Sequence, residues 1–437
     1  MQVFIHSYGC SANTAESEVI SGCLKQAGIQ LAQSEVDADL LIYNTCAVKG
    51  PTENRIINAM KNAPKNKKLI VAGCLPMISF ERLLREVPFD GAIGPSAGET
   101  IVDIVKRVMA GEHVVELAVL DSLPKLGLPR VQSSPVISVV PVNFGCLGSC
   151  TYCCVVHARG HLRSYSIKEI SDRIQKDVSC GFKEIWVTSQ DTACYGRDIK
   201  GNLAKLLMTF GGLEGDFRVR VGMMTPNMVM DIQEQLIAAF ESPHIFKFLH
   251  LPVQSGDDQT LTRMRRFYTV AEFKGILEAF RTEFPDLTLA TDVIVGFPGE
   301  TEEAFQNTLK LLKEVKPDVT NISKFFARPK TVAAKMKDDL VPKEEIKRRS
   351  AATAELVKRI SLEKNLRWVG WEGKVLVDEK GKFEGSWVGR NFAYKPVAIK
   401  SAENLLGKIV NVKVVEVMST YLKGTIVSKN QQTGMLK

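Results

Sequence analysis

Short apolar and β-branched runs at residues 3–8, 40–43 and 68–72 are each followed by a polar or glycine turn and then by apolar positions at helical spacing. That alternation predicts a doubly wound α/β sheet over residues 1–117. Residues 118–134 (AVLDSLPKLGLPRVQSS) carry prolines and serines without periodicity and read as a linker. Six further strand candidates follow at 136–144, 184–189, 217–221, 246–251, 287–295 and 319–326, with helical patterns between them. One of these helices, 166–180, opens on Ser166 with Glu169 three residues on, the signature of a capping box. Six βα units joined by crossovers predict a partial (β/α)6 parallel barrel over residues 135–365, with its ligand at the carboxyl ends of the strands. Residues 335–365 within it are charge-rich and read as a connecting helix. From 366 to 428 the pattern changes to alternating runs such as 374–377 and 409–417 between glycine turns, predicting a small antiparallel β-barrel and leaving 429–437 as a tail.

Composition alters this picture in two places. The length of 437 residues suits about three domains, and no apolar run approaches the ~20 residues of a membrane span. The opening residues have no basic stretch followed by an apolar segment, so no secretory signal is expected. Ten cysteines are too sparse for a disulfide scaffold and suit metal binding or catalysis in a reducing cytoplasm. The net charge of +8 is concentrated at the end of the chain, where residues 366–437 hold 12 Lys and Arg against 6 Asp and Glu. This basic segment suits either a polyanion such as nucleic acid or a solvated surface. Trp387, Phe392 and Tyr394 lie among its basic residues, where they serve either to stack bases or to fill a small barrel's core.

The cysteines carry the chemistry. Cys146, Cys150 and Cys153 form a CxxxCxxC loop directly after the first barrel strand. Three thiolates on one loop hold three irons of a cubane 4Fe–4S cluster and leave the fourth iron open. Zinc would need a fourth ligand close by, and Cys154 is badly placed because adjacent side chains point apart. Cys10, Cys46 and Cys74 each fall just past the carboxyl end of a predicted strand, the edge at which open parallel sheets bind ligands, so they form a second candidate trio. Cys23 and Cys180 lie in helical patterns and are expected to be small buried hydrophobes. Cys194 is expected to be no ligand, since the two trios account for both clusters.

The CxxxCxxC loop, with Tyr152 before its third cysteine, resembles that of the radical S-adenosylmethionine (SAM) enzymes. Together with residues 250–256 (HLPVQSG) and 291–301 (TDVIVGFPGET), the two trios resemble the radical SAM methylthiotransferases over nearly the whole chain. Residues 328–333 (RPKTVA) are similar to that family's arginine–proline turn, with Lys330 and Val332 where a glycine and a proline are common. The resemblance implies an auxiliary 4Fe–4S cluster on Cys10, Cys46 and Cys74, a SAM-cleaving 4Fe–4S cluster on Cys146, Cys150 and Cys153, and a C-terminal TRAM module. It also implies that Thr188, Ser189 and Gln190 hold the methionine amine of SAM, with Gly296 beside its adenine. Arg159 is expected to meet SAM or substrate, or else to lie on the surface. Residues 44–53, 158–165 and 189–198 are similar to the archaeal and eukaryotic branch, which converts N6-threonylcarbamoyladenosine of tRNA to its 2-methylthio form. That implies binding of the tRNA anticodon stem-loop and an electron donor such as flavodoxin or ferredoxin, with the sulfur donor open. Residues 190–192 (QDT) are shared with enzymes that modify a ribosomal-protein aspartate, an alternative substrate. A non-catalytic iron–sulfur RNA-binding protein is the alternative of another class.

Overall fold

The computed structural model describes residues 1–47, 50–118 and 123–427. The first sheet has six parallel strands in the order Gln30–Leu31, Gln2–Ser7, Leu40–Thr45, Lys68–Gly73, Gly91–Ile93 and Val114–Glu116. Alternation along its central strand builds two cores. Leu40 and Ile42 pack with Val3, Ile70 and Val105, while Leu41 and Tyr43 pack with Ile56, Leu75 and Leu83 on the opposite face. Helices Ser11–Gln26 and Ile101–Met109 cover the first face, and Gly50–Lys61 and Cys74–Glu86 the second.

The next six strands are parallel and consecutive. Ile137–Pro141, Glu184–Thr188 and Arg218–Val221 form one sheet, and Phe248–His250, Thr288–Val295 and Val319–Lys324 another. A parallel bridge between Val219 and Ile245 joins the two into a partial barrel. The helix Ile167–Ser179 opens with both halves of its capping box, the Ser166 hydroxyl accepting from the Glu169 amide. The connecting helix runs Lys343–Leu366, starting later than its charge pattern suggests. Pro342 stands before its first turn, and a proline disfavours helical geometry in the residue preceding it. The predicted linker is pinned along its described part. Arg130 is buried against Asp177 at 2.8 Å, and the Val131 amide donates to the Glu18 carbonyl at 3.0 Å. Residues 119–122 of that linker, and the tail, lie outside the described residues.

The last segment is a closed five-stranded barrel of Glu372–Lys380, Ser386–Arg390, Pro396–Lys400, Leu422–Ile426 and Ile409–Val417. Trp387 is buried in its core and donates its indole N–H to the Ser401 carbonyl at 3.1 Å. Tyr394 leaves the small barrel and plugs the larger one, with its ring 4.9 Å from Phe246 and 5.1 Å from Phe248 and its hydroxyl donating to Glu184 at 3.0 Å. Neither ring is therefore available to stack a base; Phe392 is partly exposed beside Trp368 and Trp371. Lys395 follows with a buried ion pair to Asp318 at 2.7 Å. Glu184 and Phe248 begin their strands and Asp318 immediately precedes one, so the small barrel docks on the amino ends, opposite the cysteine loops.

This docking is expected to depend on pH through Glu184. Burial, with the charge of Asp378 added, pushes the Glu184 carboxyl up to about 8. A carboxyl raised on folding contributes stability that is fully present below its ordinary value and is lost as pH rises through the raised one. Glu184→Gln, which cannot ionise, should therefore gain stability relative to the parent as pH goes from below 4.5 to above about 8. Thermal unfolding across that range measures the difference, and a constant offset between the two proteins would contradict the assignment.

Candidate metal centres

The first trio sits on three neighbouring strands. Thr45 pairs with Gly73 in register, so Cys46 and Cys74 leave adjacent strands at the same level, and Cys10 follows the next strand over. Gly9 has φ +122°, and a Cβ there would lie 2.7 Å from the Cβ of Cys46. Only glycine permits that backbone and that approach together. Asn13 and Asn44 brace the loops, with the Asn13 amide donating to the Thr45 carbonyl at 3.1 Å and the Asn44 amide to the Asn13 carbonyl at 2.9 Å. Cys10 caps the helix Ser11–Gln26 and Cys74 begins Cys74–Glu86, so two helix N-termini present positive dipole ends to the trio. Cys46 and Cys74 are buried and Cys10 is exposed. Burial pushes the Cys74 thiol up to about 12, with Arg159 opposing and the charges of Cys46 and Cys10 adding.

In the second trio, Cys146 and Cys150 meet over Gly148, whose amide donates to the Cys146 sulfur at 3.1 Å. A Cβ on Gly148 would lie 3.2 Å from the Cys146 sulfur and 3.6 Å from that of Cys150. Burial raises the Cys153 thiol, and the charges of Cys150 and Cys146 both reach it. Arg266 donates to the Cys150 sulfur at 3.3 Å. Three thiols gathered at each of two sheet edges fit iron clusters that each keep one iron open. Cys194 is the neighbour that spacing alone could not place. Its thiol donates to Asp191 at 3.1 Å, and the Cys146, Asp191 and Cys194 ligand atoms all lie within 4.8 Å of one another.

Residues 2–94 match the model of Uncharacterized protein family UPF0004, residues 140–312 that of the Radical SAM superfamily and residues 367–427 that of the TRAM domain. A Pyrococcus horikoshii protein named "Probable threonylcarbamoyladenosine tRNA methylthiotransferase" is 40% identical over 431 residues, 98% of this chain and 100% of its own. The Homo sapiens "Threonylcarbamoyladenosine tRNA methylthiotransferase" is 36% identical over 437 residues, 98% of this chain and 74% of that one. The chain belongs to the threonylcarbamoyladenosine tRNA methylthiotransferase family. Among solved structures, the radical SAM methyltransferase TsrM of Kitasatospora setae, with cobalamin and a 4Fe–4S cluster bound, has a TM-score of 0.56 at 12% identity, covering 76% of this chain and 73% of that one. At such low identity the likeness concerns fold alone.

The other residues expected of a methylthiotransferase are more scattered in their surroundings. Tyr152 is partly buried, its ring edge-on to Phe297 at 6.3 Å. Thr188 ends its strand with its hydroxyl 2.6 Å from that of Ser11, tying the central barrel to the first sheet. The Ser189 hydroxyl accepts from the Asp191 amide at 3.1 Å, and the Gln190 side-chain oxygen is buried without a hydrogen-bond partner among the described residues. That orphaned acceptor suits a ligand ammonium. Gly296 has φ +74°, gives its amide to Glu300 at 2.7 Å, and turns its Cβ side onto Ile346 rather than into open space. His250 of the 250–256 motif reaches the carboxylate of Asp292 in the 291–301 motif at 3.3 Å, and Asn321 of the last barrel strand donates to it at 2.7 Å.

Several expectations need correcting. Cys23 is buried, but Cys180 is exposed because it closes its helix before Gly181 rather than lying inside it. Arg159 is 3% exposed, so it is not a surface arginine. Its guanidinium crosses to the first sheet, where it grips Glu16 at 2.6 and 3.1 Å and donates to the Cys74 sulfur at 3.2 Å. Lys330, in the arginine–proline turn, holds φ +67° and is tethered by its ammonium to the Met77 carbonyl at 3.1 Å. The turn thus forms with a residue for which the left-handed backbone costs about 1 kcal/mol.

Proposed function

We propose that this chain methylthiolates C2 of N6-threonylcarbamoyladenosine at position 37 of tRNA, next to the anticodon, with SAM as both methyl donor and radical source. The convergence of two three-cysteine sets at the carboxyl edges of two parallel sheets is the observation that carries this reading. In it, residues 1–117 hold an auxiliary 4Fe–4S cluster on Cys10, Cys46 and Cys74, residues 135–365 hold a second on Cys146, Cys150 and Cys153, and residues 366–428 form the TRAM module. The adenine C2–H is neither acidic nor electrophilic, so ordinary bases and nucleophiles do not functionalise it. When bound, the barrel cluster supplies one-electron cleavage of SAM and the auxiliary cluster supplies sulfur. The protein orients and shields. Tyr152, Phe297 and Met264 form an apolar wall behind the cysteine loop, excluding water. In this reading Thr188, Ser189 and Gln190 hold the methionine amine, a role supported by the unpartnered Gln190 oxygen. The Thr188–Ser11 contact ties the central barrel to the first sheet beside both cysteine sets, which supports this reading.

The expected reductant is flavodoxin or ferredoxin, and the expected location is the cytoplasm; among the described residues no helix is long and apolar enough to cross a membrane. Anaerobic reconstitution with iron and sulfide, then reduction with dithionite in the presence of SAM, should yield 5′-deoxyadenosine. Its absence at full cluster occupancy would favour the non-catalytic RNA-binding alternative.

RNA contact is expected from the rim of the small barrel rather than from Trp387 or Tyr394. Lys380, Lys382 and Lys400 are exposed near the hairpin tip that carries Phe383, itself 81% exposed. Changing Lys380 and Lys382 to Gln should weaken tRNA binding and reduce the slope of log affinity against log salt by about 1 for each phosphate left without its lysine. Filter binding over a salt series measures it, and an unchanged slope would mean that the RNA lies against another part of the surface.

A further inference from the structure

Arg159 stands six residues after Cys153 in sequence and touches Cys74 in space. The short helix Val155–Arg159 therefore links the two cysteine sets, with Cys154 and Ala158 packed against Cys74, Ala47 and Met77. Each set has a buried guanidinium on one sulfur: Arg159 on Cys74, Arg266 on Cys150. Their remaining partners differ. Arg266 hydrogen-bonds the Tyr268 hydroxyl at 3.1 Å and the Pro252 carbonyl at 3.3 Å, neutral groups both. Arg159 is paired bidentately with Glu16, a carboxylate 7% exposed that also accepts from the Ser96 hydroxyl at 3.1 Å.

Three thiolates give an iron cluster a net negative charge, and each added electron deepens it. A buried cation at a ligand sulfur stabilises the reduced state, and a buried anion just behind it opposes that effect. We propose that Arg159 and Glu16 together set the reduction potential of the auxiliary cluster, Arg159 raising it and Glu16 drawing it back, so that the cluster near Arg266 accepts the electron more readily. The inference rests on the assignment of Cys10, Cys46 and Cys74 as that cluster's ligands. Reduction here adds one electron from the titrant and makes or breaks no bond. Both are positioning residues: they touch a ligand or its counter-ion, not substrate.

The test uses the full-length chain with Cys146, Cys150 and Cys153 changed to Ala, so that a single cluster remains, titrated potentiometrically and read by electron paramagnetic resonance. Arg159→Gln should lower the midpoint so that the one-electron equilibrium shifts at least tenfold toward the oxidised form, about 59 mV. Glu16→Gln should shift it in the opposite direction by a smaller factor, because the carboxylate lies farther from the sulfur than the guanidinium. The double variant should fall between the two single ones. Arg159→Lys, which keeps the charge, should stay closer to the parent than Arg159→Gln, and it carries the test with Glu16→Gln if Arg159→Gln does not fold. A role in docking the two halves alone would lower cluster loading in both single variants without splitting their potentials. Loaded clusters whose midpoints move together, or not at all, overturn the inference. Failure of the parent to take up iron overturns the ligand assignment, and the counter-charge with it.

Discussion

Replacing Cys150 with Ala should abolish SAM cleavage, whereas replacing Cys46 with Ala should leave cleavage intact and stop methylthiolation. The asymmetry follows from the two separate ligand sets. Cys150 shares its loop with Cys146 and Cys153, and two thiolates do not hold a cluster with one open iron. Arg266 would also be deprived of the sulfur to which it donates at 3.3 Å. Cys46 belongs to the other sheet, and alanine keeps the Cβ that Gly9 accommodates, so the loop keeps its course. The measurement is chromatographic detection of 5′-deoxyadenosine alongside mass spectrometry of the tRNA nucleosides. If Cys46→Ala formed neither product while its barrel cysteines remained loaded with iron, the two sets would not divide the work.

The largest effect on stability is expected at Glu53. It lies on the helix Gly50–Lys61 of the first sheet, and its carboxylate accepts from Arg328 at 2.5 Å and from Arg82 at 2.8 Å. Glu53 and Arg328 are each 3% exposed, and Arg328 follows the last strand of the central barrel, so the pair joins two units of the chain. Deleting one partner of a buried pair leaves the other charge desolvated, which costs about 3–5 kcal/mol. Glu53→Ala should therefore destabilise the protein by that amount in denaturant unfolding. Changing Glu53 and Arg328 together to apolar residues should recover much of the stability, since the isolated charge is the main penalty. A destabilisation below about 1 kcal/mol would mean that water reaches Arg328 and replaces the carboxylate.

What could be read from the chain follows from how local each signal is. The six barrel strands, the Ser166 capping box and the long strand Ile409–Val417 are set by patterns within a dozen residues, and all were legible. The short strands Gln30–Leu31, Gly91–Ile93 and Val114–Glu116 were not, because two or three residues show no period. The cysteines could be placed at strand ends because each closes its own apolar run. Arg159 could not be placed, since its partner Glu16 lies 143 residues away and nothing local separates a buried arginine from a surface one. Tyr394 has the same character: its place in the barrel end depends on Glu184, 210 residues earlier. Cys194 was near the right face, but its approach to Cys146 and Asp191 exists only once the first two barrel strands pair.

The central claim concerns a single carbon atom of one modified nucleoside. Anaerobically reconstituted protein, incubated with SAM, a reductant and tRNA bearing N6-threonylcarbamoyladenosine, should convert that nucleoside to its 2-methylthio form, seen by mass spectrometry of the digested tRNA. The same tRNA lacking the threonylcarbamoyl group should remain unmodified. Methylthiolation of the unmodified adenosine, or of a ribosomal-protein aspartate in place of either tRNA, would contradict the account.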